Sequence, residues 1–265
     1  MTIHTKEGYA TINGINMYYQ LFGEGQKLVL VHGGGSTIQT NFGYIIPLLS
    51  QHFQILAMEL QAHGHSSDRN APESFQQDAD DVAALMDHLQ WKGASVFGFS
   101  NGGNTSMQLA IRYPEKVKKL VLASTFYKRE GLLPGFFEGM KSASLENMPL
   151  PLQTAFLEIN NNRDALQNMH DKDKQRMLDF SDWSEEDLRS IAVPVLLISA
   201  DQDVIRPEHT VEMSRKMPNA RLMIVPGNHG SYIGEICTPA RDEMAIGLVI
   251  GIVEQFLKQN DSNKI

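Results

Sequence analysis

Cysteine is almost missing from this chain, with Cys237 the single one in 265 residues. One thiol can neither close a disulfide within the molecule nor build a cysteine zinc cluster. Positive charge is also scarce, with 23 Lys and Arg against 31 Asp and Glu and a formal net charge of −8. A protein that grips nucleic acid wants a basic face, so this balance argues against such a partner. No apolar run comes near the twenty or so residues of a membrane span, and no basic segment followed by an apolar one opens the chain. The expectation is a soluble cytoplasmic protein, away from membranes.

What the chain does have is an alternation of short β-branched runs and amphipathic stretches. Tyr9 to Asn13 and Ile15 to Leu21 flank Asn13-Gly14, a hairpin signal. Strands are expected at Lys27 to His32, Gln54 to Glu59, Ala94 to Phe99, Val117 to Ala123, Val193 to Ser199 and Arg221 to Val225. Helices are expected around Asn41 to Ser50, broken or kinked at Pro47, and over Ser74 to Leu89, Asn104 to Tyr113 and Met244 to Leu257. Such alternation requires parallel crossovers and a sheet covered on both faces. A chain of this length buries roughly 70–75% of its unfolded surface, enough for one large domain with an insertion.

Gly98-Phe99-Ser100-Asn101-Gly102 lies between an expected strand and an expected helix. A serine on so sharp a turn takes strained backbone angles and needs small neighbours two residues to either side; glycine fills both places. The turn lifts the hydroxyl above the sheet and aims the first helix amides at whatever it attacks. Ser100 could instead be a plain helix N-cap, but flanking glycines would then serve no purpose.

A serine needs a base and an orienting acid. After the strand ending near Ser199 come Asp201 and Asp203, and after the strand ending near Val225 comes Gly227-Asn228-His229-Gly230. Strand ends are where open α/β sheets place functional groups. His229 is the expected general base, and either aspartate could orient it. His32 reads as an anchor for the glycine loop beside it. His63 and His65 read as loop residues, since no third metal ligand accompanies them, and Gly33-Gly34-Gly35 lacks the lysine and hydroxyl residue of a phosphate loop.

Taken together, Val31-His32-Gly33-Gly34-Gly35, the segment Glu59 to Ser66, the serine turn, Asp203 and His229 resemble the α/β-hydrolase fold superfamily over nearly the whole chain. The resemblance implies a mostly parallel eight-stranded sheet with helices on both faces. It also implies a catalytic Ser100, Asp203 and His229, with Gly34 and Asn101 supplying oxyanion-hole N–H groups, and no cofactor or metal. Asp203, not Asp201, matches the family's acid. Departures are Ala200 and Ala62 where glycine is common, Glu59 where aspartate is common, and Asn101 after the serine.

From Ser124 to about Ser190 the strand rhythm stops, and helical segments such as Pro151 to Ile159 and Asp171 to Phe180 replace it. By resemblance, 125–190 is a helical cap inserted into a core formed by 1–124 and 191–265. Its apolar groups, among them Phe126, Tyr127, Phe136, Met140, Met148, Met169 and Met177, either line a pocket or hold the cap down. The expected function is hydrolysis of a small, uncharged carboxylic ester. Relatives sharing this site also cleave carbon-carbon bonds, lactones, thioesters or amides or transfer acyl groups. A ligand-binding protein without turnover is the alternative of another class.

Overall fold

The computed structural model describes residues 5–238 and 241–259. It opens with an antiparallel hairpin of β1 (Thr5–Ile12) and β2 (Ile15–Phe22). Ile12 faces Ile15 across the turn, and Asn13 and Gly14 both take positive φ, 44° and 88°. That mirror-image turn matches the twist of the strands.

The remaining strands are β3 (Gln26–Val31), β4 (Phe53–Met58), β5 (Ala94–Phe99), β6 (Val117–Ala123), β7 (Val195–Gln202) and β8 (Ala220–Asn228). They join one 8-stranded sheet in the order β1-β2-β4-β3-β5-β6-β7-β8, antiparallel only where β2 meets β1 and β4. The central strands are apolar on both sides because both sides are covered. Val29, Val31, Val96, Leu120 and Leu122 pack on one face against α3 (Phe75–His88), α4 (Asn101–Arg112) and, at Met213, α9 (Pro207–Lys216). Leu28, Leu30, Phe97 and Val121 pack on the other against α1 (Ile38–Phe42), α2 (Ile46–Leu49) and α10 (Glu243–Lys258).

The helix expected around Asn41 to Ser50 is instead the pair α1 and α2. The break falls at 43–45, ahead of Pro47, which sits in the first turn of α2 where its missing N–H costs nothing. Between β6 and β7 lie α5 (Phe136–Lys141), α6 (Leu150–Ile159), α7 (Arg163–Asp179) and α8 (Glu185–Ser190). α7 begins well before the expected Asp171. Asn162 caps it by accepting from the Asp164 and Ala165 N–H groups, and its buried stripe runs Leu166, Met169, Asp173, Arg176, Met177. Two of those five are charged, which hides the stripe from an apolar pattern.

Phe126, Leu132, Phe137 and Phe180 from this helical segment pack with Phe75 and Ile205 of the sheet-bearing part. Leu145, Phe156, Leu166 and Met169 pack around Ala62. Among the described residues no helix is long and apolar enough to cross a membrane.

Candidate active site

Ser100 stands between the last residue of β5 and the first of α4, with φ 54° and ψ −126°. Positive φ is costly for a residue with a Cβ and persists where the surroundings impose it. Here the Ser100 N–H donates to the Ala123 carbonyl at 2.8 Å, which ties the turn to β6. A Cβ on Gly98 would lie 2.3 Å from the Gly102 carbonyl oxygen, and one on Gly102 would lie 2.1 Å from that of Val31. The two glycines are thus required by close backbone approach. The Ser100 side chain makes no helix-capping bond. Its Oγ lies 3.1 Å from Nε2 of His229.

His229 follows β8 and is half-buried, and its Nδ1 lies 2.7 Å from Oδ1 of Asp203. A carboxylate can only accept, so Nδ1 carries the proton and Nε2 is left to accept from the serine hydroxyl. Asp203 is 3% exposed and also accepts from the Ile205 N–H at 3.1 Å and from the Ser124 hydroxyl. Burial raises its pKa, but the bonds from His229, Ser124 and Ile205 outweigh burial and hold it below the usual carboxylate range. Asp201 is exposed and accepts from the Gly227 N–H at 2.8 Å. The structure therefore brings Asp203, not Asp201, to His229.

Sequence reasoning missed the support for Asp203. Ser124 Oγ meets both Asp203 and, at 2.6 Å, the buried hydroxyl of Tyr232. A serine after a strand and a tyrosine after a histidine carry no local signal of that partnership.

The glycine loop after β3 lies beside Ser100, a Cβ on Gly33 falling 3.1 Å from the serine Cβ. The Gly33 N–H donates to Oδ1 of Asn41 at 2.6 Å, and the Gly35 N–H to Oδ2 of Asp173 at 2.5 Å. The Gly34 N–H between them is taken up by no group among the described residues, nor is that of Asn101 in the first turn of α4. His32 does anchor this loop. Its Nδ1 donates to the Gly33 carbonyl at 2.7 Å and its Nε2 accepts from the Leu60 N–H at 3.0 Å, while burial pushes its pKa down to about 3. Ala62, where glycine is common, holds φ 63°, the left-handed geometry such a glycine would take.

Two cavities meet at Ser100 and Gly34. One, of about 290 Å³, is walled by Met140, Met148, Leu152, Met169 and Met177 of the helical segment, with Asn101 and Asp173 also in its lining. The other, of about 400 Å³, opens on the side of His229, Asn228, Ser36 and Glu235. Phe136, Met140, Met148, Met169 and Met177 line the first cavity; Phe126, Tyr127, Phe137, Phe156 and Phe180 are buried in packing away from it. Among the described residues no group of acidic, histidine and cysteine side chains is placed to hold a metal ion.

The chain is similar to several known proteins. The chain is 27% identical over 239 residues, 84% of its length, to the serine hydrolase BPHL of Homo sapiens, covering 79% of that protein. It is 26% identical to the putative carbamate hydrolase RutD of Azorhizobium caulinodans, over 90% of this chain and 97% of that one. The crystal structure of the enol-lactonase from Burkholderia xenovorans LB400 superposes with a TM-score of 0.72, 24% identity, and coverage of 95% of this chain and 100% of that one. Residues 27–235 match the model of the alpha/beta hydrolase fold, and the chain belongs to that family.

Proposed function

We propose that this enzyme hydrolyses small carboxylic esters with an uncharged acyl group, through an acyl-enzyme on Ser100. The observation that carries the reading is the unbroken hydrogen-bond chain Ser100–His229–Asp203 at the meeting point of two cavities. His229 Nε2 takes the hydroxyl proton as Oγ attacks the carbonyl carbon, and Asp203 holds the tautomer and stabilises the imidazolium that forms. The negative charge developing on the carbonyl oxygen is held by the free N–H groups of Gly34 and Asn101. His229 then protonates the leaving alkoxide, and water, activated by the same imidazole, releases the acid.

The two cavities suit the two halves of an ester. The methionine-walled one fits an apolar acyl chain, because Met side chains adapt to irregular shapes. The one beside His229, lined also by Ser36, Asn228 and Glu235, fits the leaving group and the incoming water. In this reading 125–190 acts as a cap. Labelling with a fluorophosphonate followed by a series of p-nitrophenyl esters of increasing chain length tests the proposal. Wild-type protein should label at Ser100 and turn over short to medium chains; a folded protein that does neither would refute it.

A further inference from the structure

Asp173 belongs to α7, in the segment between β6 and β7, yet its carboxylate reaches the loop that would hold the oxyanion. Its Oδ2 accepts from the Gly35 N–H at 2.5 Å and from His63 Nε2 at 3.1 Å, and its Oδ1 is bonded by the Arg176 guanidinium. A Cβ placed on Gly34 would be 3.2 Å from Oδ2, so the carboxylate lies directly against the residue whose N–H is left free. We propose that Asp173 is a positioning residue, which seats Gly34 for the oxyanion only while α7 is docked on the core.

His63 shows how tightly this is drawn. Its Nδ1 lies 2.8 Å from the Gln61 carbonyl and its Nε2 faces the Asp173 carboxylate. Both partners can only accept, so both ring nitrogens donate and the ring is a buried imidazolium. Burial opposes that charge, but Asp173 outweighs burial and the pKa rises to about 9. The groups facing this ring are Asp173 and Arg176 of α7, Asp78 of α3, Glu73 just before it, and His32. Burial pushes Glu73 up to about 8 and His32 down to about 3, so both are neutral at pH 7. Asp78, pushed up by burial to about 6, remains charged there. Asp173 thus bridges two buried cations, His63 and Arg176, and Arg176 pairs with Asp78 as well. Such a buried set is costly to break, because removing one member strands its partner. The loop and α7 consequently dock or separate together.

The inference rests on the Ser100 acyl-enzyme reading, and its test separates the two. In Asp173→Asn the amide turns a donor toward at least one of the three donors that now converge on the carboxylate. With the free amide displaced, kcat for a p-nitrophenyl ester should fall about 10²-fold with little change in KM, since about that much is lost for small misplacements or one lost donor. The rate of fluorophosphonate labelling and the affinity for a boronic acid that forms a tetrahedral serine adduct should fall in parallel, in protein that is still folded by circular dichroism. A rise in KM at constant kcat would instead make Asp173 a substrate contact, and unchanged kcat and adduct affinity would make it a structural tie; either overturns the inference.

If Asp173→Asn does not fold, His63→Gln decides. Glutamine can still donate to Asp173 but does not titrate. Wild-type kcat/KM should fall as pH rises through about 9, where His63 gives up the positive charge that pairs with the Asp173 carboxylate and turns a lone pair on the Gln61 carbonyl, and the uncharged variant should lack that step. Matching profiles would reject the inference. Wild-type protein that never labels would sink the acyl-enzyme reading, and this inference with it.

Discussion

At the scale of single residues, the proposed acyl-enzyme mechanism makes Ser100, His229 and Asp203 act as a unit. Ser100→Ala and His229→Ala should each lower ester turnover by about 10⁴-fold or more, and the double variant should lose little further, because a nucleophile without its base and a base without its nucleophile are equally idle. Steady-state rates on one ester, with melting curves showing intact folds, check this. Asp203→Asn should cost far more in kcat than Asp201→Asn, since only the former touches His229. Glu73→Gln bears on stability. The folded protein keeps the Glu73 proton up to about 8 whereas the unfolded chain releases it near 4.5, so wild-type stability drains away across that window as pH rises. The variant should therefore be more stable than wild type by on the order of a few kcal/mol at pH 8, about 1.4 kcal/mol for each pH unit of that window, and by little at pH 5. Ser100, His229 and the choice of two aspartates were legible because glycines and strand ends mark them locally. Asp173 was not, since it meets Gly35 across 138 residues of chain and looks in sequence like any acid on a polar helix.

At the scale of elements, the approach of α4 to β3 and β5 sets the serine turn. Gly102→Ala would drive a Cβ to 2.1 Å from the Val31 carbonyl oxygen, and backbone, unlike a side-chain tip, cannot swing aside. We expect a loss of about 3 kcal/mol or more, read as a shifted urea midpoint or as failure to accumulate folded protein. Most elements were visible in the sequence because strands buried on both faces are continuous apolar runs. α2 was misjudged because Pro47 is read as a breaker when it occupies a helix's first turn, and the start of α7 was hidden by its charged inward face.

At the scale of the whole molecule, the helical segment and the sheet together decide what reaches Ser100. The Asp173 carboxylate stands in the wall of the methionine-walled cavity, where Lys174 spends one of its three donors on the Ala143 carbonyl at 2.7 Å. Acyl chains ending in a carboxylate should be poorer substrates than neutral ones of equal length by at least about tenfold in kcat/KM, a difference that paired p-nitrophenyl esters would measure. The overall layout was legible as an alternation of strands and helices; which side chains of the helical segment face the cavity was not, because Met and Phe in a helix look alike whether they wall a pocket or fill a core. The place of β8 has a consequence for local stability. It is an edge strand, bonded among the described strands to β7 alone, and none of its residues from Ala220 to Asn228 is fully buried. Edges of that kind open at lower free energy than a sheet's centre, and His229 rides on the end of this one. Amide protons of β8 should exchange faster than those of β3 and β5, and in rising urea catalysis should fade while the helical signal is still whole.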